Sequence, residues 1–300
     1  MSAFSRFRAH LASLERARRF ALIGGLVLLL AGALLVALAP APPAAIPAAV
    51  EAGADVPVLS YVRSLPDAGD ALLARPVGLA VGGARLYVAD SDAGVVRVFT
   101  TRGIDAGVIG EDVLEVPAYL ARDMTAGTLL VTDRGLNTVH RFSDSGEYLG
   151  QIVPSIEEST TWQPLGIAAD GMGSLAVTDT SERHRVLVMD RAGLVRRTLG
   201  GPLGEDSAGG VVVALDFPNS VGFWGEELWV GDSNNRRVLV FGTDGELRRL
   251  VRVDGIARGI TFLEGEGETQ SYAAVVDALA SEIVLLETDG AEVARYGGPG

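Results

Sequence analysis

The chain contains no cysteine and no lysine. The first absence excludes a disulfide framework, thiolate chemistry and c-type haem attachment. It leaves the compartment open, because an exported domain can also be held together by packing alone. The second absence makes all 25 basic residues arginine. With the abundant Ala and Gly, this points to coding bias rather than to a functional choice. Histidine is scarce, with only His10, His140 and His184. No phosphate loop, dinucleotide fingerprint, G-x-S-x-G elbow or N-x-S/T acceptor occurs, and no cofactor is expected.

Charge is unevenly placed. Residues 1–19 carry Arg6, Arg8, Arg16, Arg18 and Arg19 against Glu15, a net of +4. The whole chain is −13, which leaves −17 for the remainder. Acidity repels a phosphate backbone and keeps a domain soluble, so nucleic acid is not an expected partner.

One long apolar run is present. Phe20–Ala39 has 20 residues without a charge. As a helix it would span roughly 30 Å, the thickness of a bilayer's hydrocarbon core. A core helix would keep a polar stripe, and this run has none. The arginines before it place residues 1–19 in the cytoplasm and the rest outside, by the positive-inside rule. Residues 20–39 are therefore expected to be a single-pass signal-anchor helix in the cell membrane. A cleaved signal peptide is the alternative. Against it stand the length of the run and Pro40, Pro42 and Pro43 around the cut. Residues 40–56 form a Pro/Ala-rich spacer, semi-rigid where it adopts polyproline geometry.

From residue 57 to 300 the chain repeats itself. One Asp marks each unit: Asp90, Asp133, Asp179, Asp232 and Asp277, at steps of 43, 46, 53 and 45 residues. Four units place a proline at one position, Pro76, Pro117, Pro164 and Pro218, where the fifth has Ala257. Each unit holds four short apolar runs rich in β-branched residues and bounded by Gly, Asp and Ser, the pattern of strands. Four antiparallel strands per 40–50 residues make one propeller blade, and a blade must stack on neighbours to bury its faces. The fold class is all-β. Six segments qualify as outermost strands: 57–64, 104–110, 147–153, 194–200, 247–253 and 291–297. The first precedes any complete unit, so its pairing with the last unit would close the ring.

The pattern P-x-G-I-A-V, L-Y-V-A-D-S, N-x-R-V-x-V-F and a Gly-bearing turn resembles the NHL repeat. Residues 218–245 (PNSVGF, ELWVGDSNNRRVLVF, TDG) carry it best. The resemblance implies a β-propeller, most often of six blades. Here five units are countable, so five or six blades are expected. It also implies binding in general, without naming a ligand.

Catalytic sites gather unlike residues in one place, whereas the repeated Asp is one residue copied around a ring. Its expected role is to accept backbone N–H bonds in the following turn. Gly78, Gly166 and Gly259, two residues after the proline position, read as close-packing residues; Tyr119 and Ser220 replace them in the second and fourth units. Some propeller lyases similar to this family use histidines around the channel. His140 and His184 fall in third-strand segments, so a tri-histidine metal site is not expected and both read as partly exposed. Asp90, Asp92 and Gly94 match a fragment of a calcium loop without its Glu. Asn219 and Asp170 are of the type that related lactonases use for a metal, but stand on different units.

The connections between second and third strands carry Arg134, Arg183, Arg185, Arg236 and Arg237 beside Asp92 and Glu182. This mixed-charge rim, with Trp162, Trp224 and Trp229 nearby, is the candidate binding surface. The expected function is a membrane-anchored extracytoplasmic binding or scaffold module with a protein or envelope-component partner. The alternative is a metal-assisted lactonase or lyase at the channel mouth.

Overall fold

The computed structural model describes residues 59–62, 64, 73–156, 161–201, 213–264 and 271–298. All belong to one compact unit, Ile46–Pro299. The basic segment 1–19, the apolar segment 20–39 and the spacer 40–56 lie outside the described residues. Among the described residues no helix is long and apolar enough to cross a membrane.

Each repeat folds into one four-stranded antiparallel sheet with its strands in sequence order. The first blade is β1 (Pro76–Gly82), β2 (Arg85–Asp90), β3 (Val95–Thr100) and β4 (Asp105–Ile109). The second is β5 (Pro117–Asp123), β6 (Thr128–Asp133), β7 (Thr138–Ser143) and β8 (Tyr148–Ile152). The third is β9 (Pro164–Ala169), β10 (Ser174–Asp179), β11 (Arg185–Asp190) and β12 (Val195–Gly200). The fourth is β13 (Pro218–Trp224), β14 (Glu227–Asp232), β15 (Arg237–Gly242) and β16 (Leu247–Arg252). The fifth is β17 (Ala257–Glu264), β18 (Ser271–Asp277), β19 (Glu282–Glu287) and β20 (Glu292–Gly297). The five complete units therefore give five blades.

The middle strands are buried on both faces, as with LLVTD of β6 and VLVFG of β15. Their apolar residues are therefore continuous rather than alternating. Four hydrophobic cores lie between consecutive blades. Tyr87 and Val98 meet Leu120, Leu129 and Phe142 between the first and second. Leu130 and Ile152 meet Ile167, Leu187 and Met189 between the second and third. Leu199 meets Leu228, Val230 and Phe241 between the third and fourth. Trp229 and Val240 meet Val275, Val284 and Leu286 between the fourth and fifth. At roughly 1.5–3 kcal/mol for each large side chain buried, these seams dominate the stability of the stack.

Innermost strands pack in chain order, β1 on β5, β5 on β9, β9 on β13 and β13 on β17. Among the described residues no comparable packing joins β17 back to β1. The repeated glycine reports the same asymmetry. A Cβ on Gly166 would stand 2.6 Å from the Asn219 carbonyl oxygen of the next blade, and one on Gly78 would meet the backbone of Ala118. On Gly259 it would meet nothing nearer than its own blade's Val276, at 3.3 Å. Of the sixth outer-strand candidate, the described residues 59–62 and 64 lie in no strand. Leu59 nonetheless packs against the fifth blade's Ala274, Leu285 and Tyr296.

The ladder between first and second strands slips just after the proline position in all five blades. The slip persists at Ala257, so proline accommodates the irregularity rather than causing it. A second slip lies between third and fourth strands of every blade and turns the outer edge away from further pairing.

Two measurements check this reading. Gly166→Ala places a methyl against backbone that cannot yield and is expected to destabilise the chain by about 1–3 kcal/mol. Gly259→Ala is expected to stay within about 0.5 kcal/mol of the parent. Urea unfolding midpoints of the two variants distinguish them.

Candidate functional site

The five repeat carboxylates are fully buried at the ends of their second strands. Each accepts hydrogen bonds from the backbone that leads into its own innermost strand. Asp90 takes the Ala74 and Arg75 amides at 3.1 and 2.8 Å, and Asp133 those of Glu115 and Val116 at 2.7 and 3.0 Å. Asp179, Asp232 and Asp277 take the amides of Gln163, Asp216 and Ile256 at 2.9, 2.7 and 3.1 Å. Asp133, Asp179 and Asp277 also accept from backbone amides of the turn that follows, those of Gly135, Ser181 and Leu279 at 2.8, 3.1 and 3.0 Å, and Asp232 accepts there from the Asn235 side-chain amide at 2.9 Å. Their bonding is thus wider than the following turn alone. Burial pushes the Asp90 carboxyl up, but the Arg75 amide, the Arg97 guanidinium and the Ala74 amide outweigh it and hold the group below the usual carboxylate range.

An arginine completes the arrangement in three blades. Arg97, Arg185 and Arg237 each place Nε on the repeat carboxylate, at 2.9, 2.9 and 2.7 Å. Arg185 is itself buried, 8 % exposed. Arg185 and Arg237, two of the five rim candidates, are therefore braces of the fold. Arg134 and Arg236 are exposed in the turns, and Arg183 is half-buried beside them. Asp92 is paired with Arg75 at 2.8 Å. Where a serine follows the repeat Asp, its hydroxyl reaches the next blade: Ser233 donates to the Ala257 carbonyl at 2.6 Å, and Ser91 to that of Pro117. The fifth blade has Ala278 at this place.

The tryptophans do not form a rim cluster. Trp229 is fully buried beneath Phe262, and Trp224 stacks on the same ring with centroids 5.2 Å apart. Trp162 packs partly buried against the core between the second and third blades. Trp224 and Phe262 stand on innermost strands and Trp229 on a second strand, so these rings fill the seam between the fourth and fifth blades from its inner side.

His140 differs from its expected partial exposure. It is buried, 3 % exposed, with Nδ1 3.3 Å from the Tyr148 hydroxyl and Nε2 3.9 Å from Asp133. Burial lowers its pKa, against the opposing pull of Asp133. His184 is half-buried and 3.5 Å from Asp216. Asn219 lies at the start of β13, whereas Asp170 follows the end of β9 and caps its own hairpin through the amides of Met172, Gly173 and Ser174. These two sit at opposite ends of their blades and share no site. Among the described residues no group of three or more His, Asp or Glu could hold one metal ion.

At the axis, at the position that three other blades give to glycine and the fourth blade to Ser220, stands Tyr119. Its hydroxyl crosses the channel to Asn219 Oδ1 at 2.9 Å and to the Arg258 carbonyl at 2.7 Å. One side chain thereby ties the second blade to the fourth and fifth. Burial raises its pKa to about 12, with Arg258 and Arg134 opposing. Sequence reading registered Tyr119 only as an exception to the glycine pattern. Its partners lie 100 and 139 residues away, beyond any local signal.

The hydroxyl has one proton, shared between these two acceptors, and Tyr119→Phe removes it and leaves both facing the channel. The expected loss is about 1–2 kcal/mol in chemical unfolding. Because the folded chain holds this proton more tightly than the unfolded one, the contribution is fully present below pH 10. It is lost as pH rises towards 12. A parent and variant whose stabilities differ equally at pH 8 and pH 12 would contradict the assignment.

Comparison with known proteins bears on this fold. A family model described as NHL repeat matches residues 161–189. That is the third unit, not residues 218–245; the third keeps Gly166 after its proline where the fourth has Ser220. No curated protein sequence matches the chain. Among solved structures, a chain of a nidogen/laminin complex superposes with TM-score 0.60 at 18 % identity, over 75 % of this chain and 80 % of that one. Virginiamycin B lyase from Staphylococcus aureus gives 0.52 at 14 % identity, over 73 % and 69 %. A streptogramin B lyase gives 0.54 at 16 % identity, over 75 % and 69 %. With the same strand order in every unit, the chain is a five-bladed β-propeller whose third unit matches the NHL repeat.

Proposed function

We propose that this chain is a binding or scaffold module of the cell envelope. In this reading residues 20–39 anchor it in the membrane with residues 1–19 cytoplasmic, and the propeller stands outside on the 40–56 spacer. The turns between second and third strands engage a protein or other envelope component. The carrying observation is how the carboxylates and the axis are used. All five repeat Asp side chains are buried and accept internal hydrogen bonds, Asp277 through Oδ1 alone, and Tyr119 spans the channel. The exposed Arg134 and Arg236 beside Asp92 and Glu182 then supply the chemically varied surface that a polar partner recognises. A propeller of similar fold occurs in a nidogen/laminin complex, which supports a protein partner for a disc of this kind. Fold alone does not fix function.

The second reading is a lyase- or lactonase-like enzyme. Its support is the shared fold with two streptogramin-type lyases. It needs a cluster of unlike reactive groups, and Tyr119 occupies the axis where such a cluster would gather.

Crosslinking in intact cells tests the first reading. The full-length chain is expected in the membrane fraction, joined to one recurrent envelope partner. Arg134→Glu with Arg236→Glu is expected to lower the yield of that adduct at least tenfold while leaving the melting temperature in place. An unchanged adduct would count against the rim. One equivalent of divalent metal with lactone or lyase turnover in the purified full-length protein would move the assignment to the enzyme.

A further inference from the structure

Superposing the repeats by register singles out one residue. Counting three residues on from the partner of each repeat Asp, the third strands carry Val98, Arg141, Val188, Val240 and Leu285. Four blades place an aliphatic side chain there, and Val98, Val240 and Leu285 are buried. The second blade alone places a guanidinium. The fold evidently does not require a charge at this position, and burying one without a counter-ion is costly.

Arg141 is half-buried and has no carboxylate partner among the described residues. Its Nε is buried with no hydrogen-bond partner, and its Nη1 makes one contact of 3.4 Å to the Arg191 carbonyl. The neighbouring acid is already engaged. Asp123 accepts from Arg191 Nε at 2.5 Å and Nη2 at 2.9 Å, a bidentate pair. The Arg191 hydrogen bond, more than the opposing burial, keeps Asp123 below the usual carboxylate range, so its charge is held for Arg191. Arg141 borders a cavity of about 220 Å³ between the second and third blades, whose apolar wall includes Leu130, Leu149, Ile152 and Leu175. The Asp123–Arg191 pair lines the same cavity and its charges offset each other, so the polar side is left with the one positive charge of Arg141, facing aliphatic surface. Opposite Arg141 on β8 stands Gly150, and the space where its Cβ would be is open.

We propose that this interblade cavity binds a small organic carboxylate with a short branched aliphatic body. The carboxylate accepts N–H bonds end-on from the two Nη atoms of Arg141, a planar fork that an ammonium does not offer; the buried Nε holds the guanidinium in place. The body lies against Leu130, Leu149, Ile152 and Leu175. The volume equals the share of about seven waters, which suits a free short-chain acid or the terminal residue of a peptide. The site lies at the opposite end of the blades from the rim turns, so it stands or falls separately from the proposed partner surface.

Calorimetric titration of the detergent-solubilised full-length chain tests it with three probes: 4-methylpentanoate, its amide 4-methylpentanamide, and the tripeptide Gly-Gly-Leu. The acid is expected to bind at one equivalent and at least tenfold more tightly than the amide. Tighter binding of the tripeptide than of the acid would assign the ligand to chain ends, and the reverse order to free acids. Arg141→Val installs the residue that three other blades hold. It is expected to keep or raise the melting temperature while weakening the acid at least tenfold. Arg141→Gln, which keeps a polar side chain, is expected to weaken it similarly. Acid and amide binding alike, no binding of either, or full affinity in a folded Arg141 variant would overturn the proposal.

Discussion

The structure depends on one buried carboxylate repeated five times. At the end of each second strand it collects the amides that lead into the innermost strand, and often those of the next turn. A strand lead has no ladder partner for its N–H groups, and leaving them bare in the interior would cost about 1–3 kcal/mol each. The Asp satisfies them from within the blade. It thereby fixes where the innermost strand starts, and with it the register that brings Gly78 and Gly166 against the next blade. The ladder slip shared by all five units, including the one without proline, has the same origin.

From that constraint follows a division of labour along each blade. The inner strand sets spacing by how small its residues are. The middle two strands supply the aliphatic surface that seals each seam. The outer strand, displaced by its own slip, is the most exposed of the four, and in the third, fourth and fifth blades it carries arginine. Departures from the scheme are few, and they fall at places with separate meaning. Tyr119 stands where glycine is usual and reaches across the axis. Arg141 stands where valine is usual and reaches a cavity.

Much of this was legible in the chain itself. The spacing of the five Asp residues and the runs between them gave five units, and the outer strands of those units lie within a residue of their expected bounds. What stayed hidden depends on contacts far apart in sequence. Nothing local shows that Arg185 and Arg237 turn inward to an Asp six and five residues before them while Arg134 and Arg236 turn out. The burial of His140 depends on Phe142 of its own strand and Tyr148 of the paired β8 packing beside it, a side-chain arrangement that pattern does not specify. The indoles read as rim aromatics because each lies near a turn in sequence, but seam geometry draws them inward. Tyr119 looked like a missing glycine until its partners on two other blades were in place.

The unequal treatment of the last blade has a mechanical meaning. Where Ser91 and Ser233 stitch forward to a following blade, the fifth unit has Ala278, and Gly259 meets no following backbone. Among the described residues the array thus has a first and a last member, like a short stack of cards bent into an arc. Strain or heat applied to such an object does not spread evenly around a hoop. It gathers at the first and last blades, whose described neighbour contacts are one-sided apart from Leu59 on the fifth blade and the Tyr119 hydroxyl on Arg258, while the second, third and fourth blades are braced on both sides.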